Sequence, residues 1–172
     1  MSVQTTYATG PAAAIEGQLV DSDDNVIVAM KNNEASAEIA FGRAVAFEGS
    51  TDDQGALLPL AANTPKLAGL VVHSHAYSKS ALGDLGTTGI KSGGVLNVLR
   101  KGRIWARCTS SVVPGDRLFA QKTVNGGTRP LGKLDNAADG GNSIDATAQG
   151  VWMTTAAADG LAILEVDFTN KP

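Results

Sequence analysis

Cysteine occurs once in 172 residues, so no internal disulfide framework can hold this fold. Aromatic residues make up only 5% of the chain, which is thin material for a sugar-stacking cleft. No apolar run approaches the ~20 residues that a membrane-spanning helix needs. The opening Met1–Gly17 stretch has neither the charged nor the apolar region of a signal peptide. The expectation is a soluble protein made in a cytoplasm. A net charge of −3 is no nucleic-acid signature. Catalytic motifs are also missing. There is no G-x-S-x-G nucleophile elbow and no phosphate-cradling G-x-x-x-x-G-K-[ST] loop. Asp23-Asp24 and Asp52-Asp53 fall in turns, where Asp is common for backbone reasons. Any two carboxylates can meet in a fold, so glycoside hydrolysis stays open at this point. The expectation is nevertheless no enzyme and no cofactor.

What is present reads as β-structure. The chain is 43% apolar, mostly Ala, Val and Leu, and carries 20 glycines, which implies frequent turns. Val95–Cys108 is read as two strands folding back on each other, with the turn at Lys101-Gly102. After that turn Ile104, Ala106 and Cys108 take one face, and Arg103, Trp105 and Arg107 the other. Cys108 thus reads as a small core residue.

Residues 1–15, rich in Thr, Gly and Pro, read as an extended N-terminal arm, and 16–172 as a single β-barrel or sandwich domain. Short strands are expected at 15–20, 26–30, 39–47, 66–76 and 148–155. In 161–168, Leu164, Val166 and Phe168 share one face. Pro114-Gly115 is a type II turn signal, and Asn125-Gly126 a second turn. The stretches 77–94 and 128–142 read as long Gly-rich or polar surface loops. Asp21–Asn25 lacks the ligand spacing of a calcium loop. His73 and His75 sit at a spacing that can hold a metal on a strand, but no Cys, Asp or Glu joins them there, and the plainer reading is two histidines at a strand end. Arg43 shares the parity of the apolar face of its strand and needs either the rim or an acidic partner.

Charge is unevenly spread. Residues 1–99 carry 5 basic and 10 acidic side chains, and 100–172 carry 9 and 7. Between Arg100 and Lys133 stand eight bases and a single acid, Asp116. That stretch is either a solvated face or a contact surface for an acidic partner.

Five stretches occur in an order that carries a family resemblance: Pro11…Gly17-Gln-Leu-Val-Asp21, Ile39-Ala-Phe-Gly-Arg-Ala-Val45, Leu67-Ala-Gly-Leu-Val-Val72, Val95 through Ala106, and Val113-Pro-Gly-Asp-Arg-Leu-Phe119. Together they resemble the structural cement (capsid decoration) proteins of tailed bacteriophages, over roughly residues 10–122. The resemblance implies a small all-β protein on the outer face of the virion. It implies a homotrimer bound where capsomers of the major capsid protein meet, stiffening the shell without catalysis, direct nucleic-acid contact or membrane contact. The residues expected to touch the shell or a neighbouring subunit are Tyr7 and Pro11 in the arm, and Arg100, Lys101, Arg103, Trp105 and Arg107. Two other readings compete: a carbohydrate- or receptor-binding module of a head or tail fibre, using Trp105, Trp152, Tyr7 or Tyr77, and a metal-dependent hydrolase built on His73 and His75.

Overall fold

The computed structural model describes residues 14–48, 54–58, 66–74, 89–126 and 129–169. Tyr7, Pro11, His75 and Tyr77 lie outside them. Among the described residues twelve strands run in order: β1 Val26–Asn32, β2 Ile39–Ala40, β3 Ala44–Phe47, β4 Gly55–Leu57, β5 Leu67–Val71, β6 Gly89–Ile90, β7 Val95–Arg107, β8 Phe119–Gln121, β9 Leu134–Asp135, β10 Ser143–Asp145, β11 Gly150–Trp152 and β12 Leu161–Asp167. Among the described residues the only helical element is a 3-10 turn at Gly140–Asn142. The all-β expectation holds.

The expected hairpin at Lys101-Gly102 does not form. Val95–Arg107 is one strand of 13 residues. The chain has no need to fold back there, because distant segments supply partners on both edges. On one edge run β1 and, beyond it, residues 17–20: Gly17 N–H donates to the Trp105 carbonyl at 2.8 Å and Val20 N–H to that of Arg103 at 3.1 Å. On the other edge β5 pairs with Leu99 and Val98, and β12 with Lys101 through Arg107. Gly102 does take positive φ, at 132°, but as part of a bulge. Val26 pairs with Lys101 and Ile27 with Leu99, so Arg100 is the extra residue. The Arg100 carbonyl accepts from Phe168 N–H at 2.6 Å.

An extra residue flips the parity of a strand. Before the bulge Leu96 and Val98 face one core; after it Ile104 and Ala106 face another, which Leu99 joins from the other side. One strand therefore serves two cores. The first lies inside a closed five-stranded barrel of β1, β4, β3, β5 and β7, completed by the β1–β7 pairing. Met30, Val45, Ala56, Ala68, Val71, Leu96 and Val98 fill it, with Ile39, Phe41 and Ile90 from the β2–β6 pair and its flank. Most pairings are antiparallel as expected, but β1 and β4 are parallel. The second core packs β7 and β12 with residues of the three-stranded sheet β10-β8-β9. Leu164 sits directly opposite Ile104 there, both fully buried, beside Leu118, Leu134 and Trp152. Each such aliphatic side chain contributes roughly 1.5–3 kcal/mol by leaving water.

The alternation expected for 161–168 is present, with Ala162, Leu164, Val166 and Phe168 buried. Pro114-Gly115 turns as its residues require: Gly115 has φ 90° and Asp116 N–H returns to the Val113 carbonyl at 3.2 Å. The stretch 39–47 is broken into β2 and β3 rather than one strand, since Gly42 turns at φ 73° between them. The two expected loops are not wholly loops. Within 77–94, Gly89–Ile90 forms β6 against β2, with Ile90 buried. Within 128–142, Leu134 enters the core on β9 because β8 and a bridge to Cys108 receive it.

Candidate functional site

The basic side of β7 lies at the bulge, where the acidic turn Asp21–Asn25 arches past Gly102. That turn exists because Val20 and Val26 both pair with β7 while the five residues between them have no register to fill. Asn25 Nδ2 ties the turn by donating to the Asp21 carbonyl at 2.7 Å. Its Oδ1 fills the space a Gly102 side chain would need, 1.9 Å from an ideal Cβ.

The candidate bases are drawn into ion pairs with acids distant in sequence. Lys101 Nζ is 3.1 Å from Asp24, whose hydrogen bond and charge raise the lysine's pKa. Arg103 Nε lies 2.8 Å from Glu165 and its Nη1 3.8 Å from Asp21; the Glu165 hydrogen bond raises the Arg103 pKa. Arg107 Nε pairs with Glu16 at 3.2 Å, and its Nη1 donates to the Asp159 carbonyl. Arg100 turns away from this row. Its Nη2 donates to the Phe168 carbonyl at 2.6 Å and its guanidinium lies 5.6 Å from the Phe47 ring centre. Trp105, half-buried, stands between Arg103 and Arg107, with Ile163 opposite. The row Lys101–Arg103–Trp105–Arg107 is therefore a mixed-charge face, still partly open to solvent, and not a purely basic stripe. A groove of about 530 Å³ runs beside it, lined by Asp21, Asp23, Asp24, Lys101, Arg103 and Glu165 among others, with no aromatic residue.

Arg43 is half-buried. Burial lowers the Arg43 pKa and the charge of Glu16 opposes that shift, while Arg43 Nη1 is buried without a hydrogen-bond partner among the described residues. Glu16 thus pairs with Arg107 and its charge also reaches Arg43. Gly17 is held between Trp105 and His73, whose N–H donates to the Gly17 carbonyl at 2.8 Å. Ala14, the first described residue, is buried.

Among the described residues no three His, Cys, Asp or Glu side chains come together as a metal set. His73 packs its ring 4.7 Å from that of Phe41 at a tilt of 56°. Cys108 is fully buried, and burial pushes its thiol up to about 12. Trp152 is fully buried too, so it offers no sugar platform. Among the described residues no helix is long and apolar enough to cross a membrane.

The family model described as "Structural cement protein (E217 gp24/Pam3 gp6)" matches residues 3–167. The chain belongs to this phage structural cement protein family. Its role is accordingly structural, in the phage capsid. Among solved structures, a chain from the capsid of Myoviridae phage XM1 has the same fold: TM-score 0.69 at 15% identity, over 97% of this chain and 98% of that one. No curated protein matches. The match to the cement family extends past the 10–122 stretch that carried the resemblance and takes in β9 to β12.

Proposed function

We propose that this cement protein decorates the outer face of the capsid as a homotrimer, seated where capsomers of the major capsid protein meet, and stiffens the shell without catalysis. The observation that carries the reading is the family match across residues 3–167. The architecture supports it: two cores share one strand, and the surface near that strand is a shallow mixed-charge face rather than a deep pocket. A lattice protein draws affinity from many modest contacts repeated over its copies. On this reading the row Lys101, Arg103, Trp105 and Arg107 touches the shell or a neighbouring subunit, and the arm with Tyr7 and Pro11 straps onto a partner. Arg100 leaves the proposed contact set, because its guanidinium is engaged by Phe168 and Phe47.

The test is binding to expanded capsids that lack the protein. Full-length chain is expected to bind and to raise the temperature at which the particles rupture. A chain lacking residues 2–12 is expected to fold but not to bind. Undiminished binding by the shortened chain would remove the strap. A light-scattering mass of one chain, with single copies on a cryo-electron map of the particle, would remove the trimer.

A further inference from the structure

We propose that Asn125 is a site of spontaneous deamidation, and that the carboxylate so formed faces Asp139 and breaks the tie between residues 121, 125 and 139. Asn125 is the only asparagine of the chain that is followed by glycine. Deamidation begins when the backbone nitrogen of the next residue reaches the asparagine Cγ, and glycine, with no Cβ, obstructs that approach least. The reacting groups are open here. Asn125 and Gly126 are both exposed. Gly126 stands at φ 59°, and nothing lies within 4 Å of where its Cβ would be. Its N–H donates to no acceptor among the described residues, so no hydrogen bond has to break before the nitrogen attacks.

The reaction consumes only water. The Gly126 nitrogen attacks Asn125 Cγ and gives up its proton. A new C–N bond closes a five-membered succinimide, the Cγ–Nδ2 bond breaks, and ammonia leaves with that proton. Water then opens the ring at either carbonyl. One opening leaves aspartate at position 125; the other leaves isoaspartate, with the main chain running through Cγ. The balance is one water in and one ammonia out.

The surroundings give the change a consequence. Asn125 Nδ2 donates to Asp139 Oδ2 at 2.8 Å, and Gln121 Nε2 donates to the same oxygen at 2.9 Å. That oxygen ties the end of β8 and the Asn125–Arg129 bridge to the residue that precedes the 3-10 turn. Loss of Nδ2 replaces a donor with a second acceptor carrying negative charge, so the bond becomes a like-charge contact. Arg129 is the one base paired with this group among the described residues, and it is already shared: Nη1 lies 3.1 Å from buried Asp135 and 3.8 Å from Asp139. After the change one arginine would face three carboxylates. A capsid protein is not renewed after assembly, so the altered fraction grows with the age of the particle.

The test incubates the full chain in mildly alkaline buffer at body temperature and follows it by tryptic mass spectrometry. Cleavage after Lys122 and Lys133 leaves the peptide 123–133, in which Asn125 carries the only side-chain amide. That peptide is expected to gain the mass of an amide-to-acid conversion with time, and to show both aspartate and isoaspartate. Gly126→Ala, whose methyl meets open space, is expected to slow the conversion about tenfold. Asn125→Asp reproduces the aspartate product, and Asn125→Ser loses the bond without adding charge. Asn125→Asp is expected to have the lower urea midpoint of the two. Asn125→Asp/Asp139→Asn, which exchanges donor and acceptor, is expected to recover most of that loss. Conversion no faster than in Gly126→Ala overturns the proposal. So does an Asn125→Asp midpoint at or above that of Asn125→Ser, or a double variant no more stable than Asn125→Asp.

Discussion

Arg103 and Glu165 stand directly opposite each other on β7 and β12, with Nε 2.8 Å from the carboxylate. The pair sits in the middle of the segment with eight bases and one acid, and it shows where the missing acids are. They arrive from Asp21, Asp24 and Glu16 on one edge of β7 and from Glu165 on the other. An acidic surface approaching this face meets ion pairs, which a partner must break or accept whole.

That arrangement can be read by chromatography. A variant carrying Asp21→Asn, Asp24→Asn and Glu165→Gln frees Lys101 and Arg103 from their local acids. It is expected to elute from a cation exchanger at higher salt than a variant with the same net charge made by Asp52→Asn, Asp53→Asn and Glu34→Gln. Equal elution of the two would mean that the β7 face contributes no local field.

Gly102 is the position where the two halves of the fold are coupled. Its φ of 132° is one that side chains resist, and an added Cβ would fall 1.9 Å from Asn25 Oδ1. Gly102→Ala is expected to lose about 2 kcal/mol or more of stability from the backbone and the displaced turn together. A lowered urea midpoint at unchanged slope would show it. A loss below a few tenths of a kcal/mol would mean that the bulge relaxes freely.

The same residue shows how far the sequence could be read. A glycine between two alternating apolar arms is one signal for two structures, a hairpin turn and a bulge. What decides between them is the partners, and Glu165 is 62 residues from Arg103. The period-two faces of 103–108 and 161–168, the Pro114-Gly115 turn and the buried Cys108 are local or strictly periodic features, and they were legible. Leu134 was not, because a lone apolar residue among polar neighbours has no period; its burial is set by β8 and Cys108.

Cys108 supplies a direct probe of the second core. The thiol is fully buried and its pKa is pushed up to about 12, first by that burial. A thiolate is the reactive form, so the native protein is expected to resist a thiol-specific reagent at neutral pH and to take up one label per chain in denaturant. Rapid labelling of the native protein would mean that the packing around Leu134 and Cys108 opens without global unfolding.

Acid is expected to weaken the fold, and Asp139 identifies one place where it does so. Its carboxylate accepts from Asn125 Nδ2 at 2.8 Å and Gln121 Nε2 at 2.9 Å, and these bonds hold its pKa below the ordinary 3.8. Asp116 is lowered by Asn136 and Asp159 by Lys133. A folded pKa below the unfolded one means that the stabilisation is fully present above the unfolded value and is lost as pH falls through the folded value. The urea midpoint is therefore expected to stay level at neutral pH and to drop as pH goes below about 4, the ordinary range of Asp. Salt is expected to soften the fall only where an exposed charge pair contributes, as at Asp159 with Lys133 2.5 Å away. Asp139→Asn is expected to lower stability at neutral pH and to flatten the acid limb. An acid limb unchanged in that variant would show that the tie between residues 121, 125 and 139 carries no pH-dependent stability.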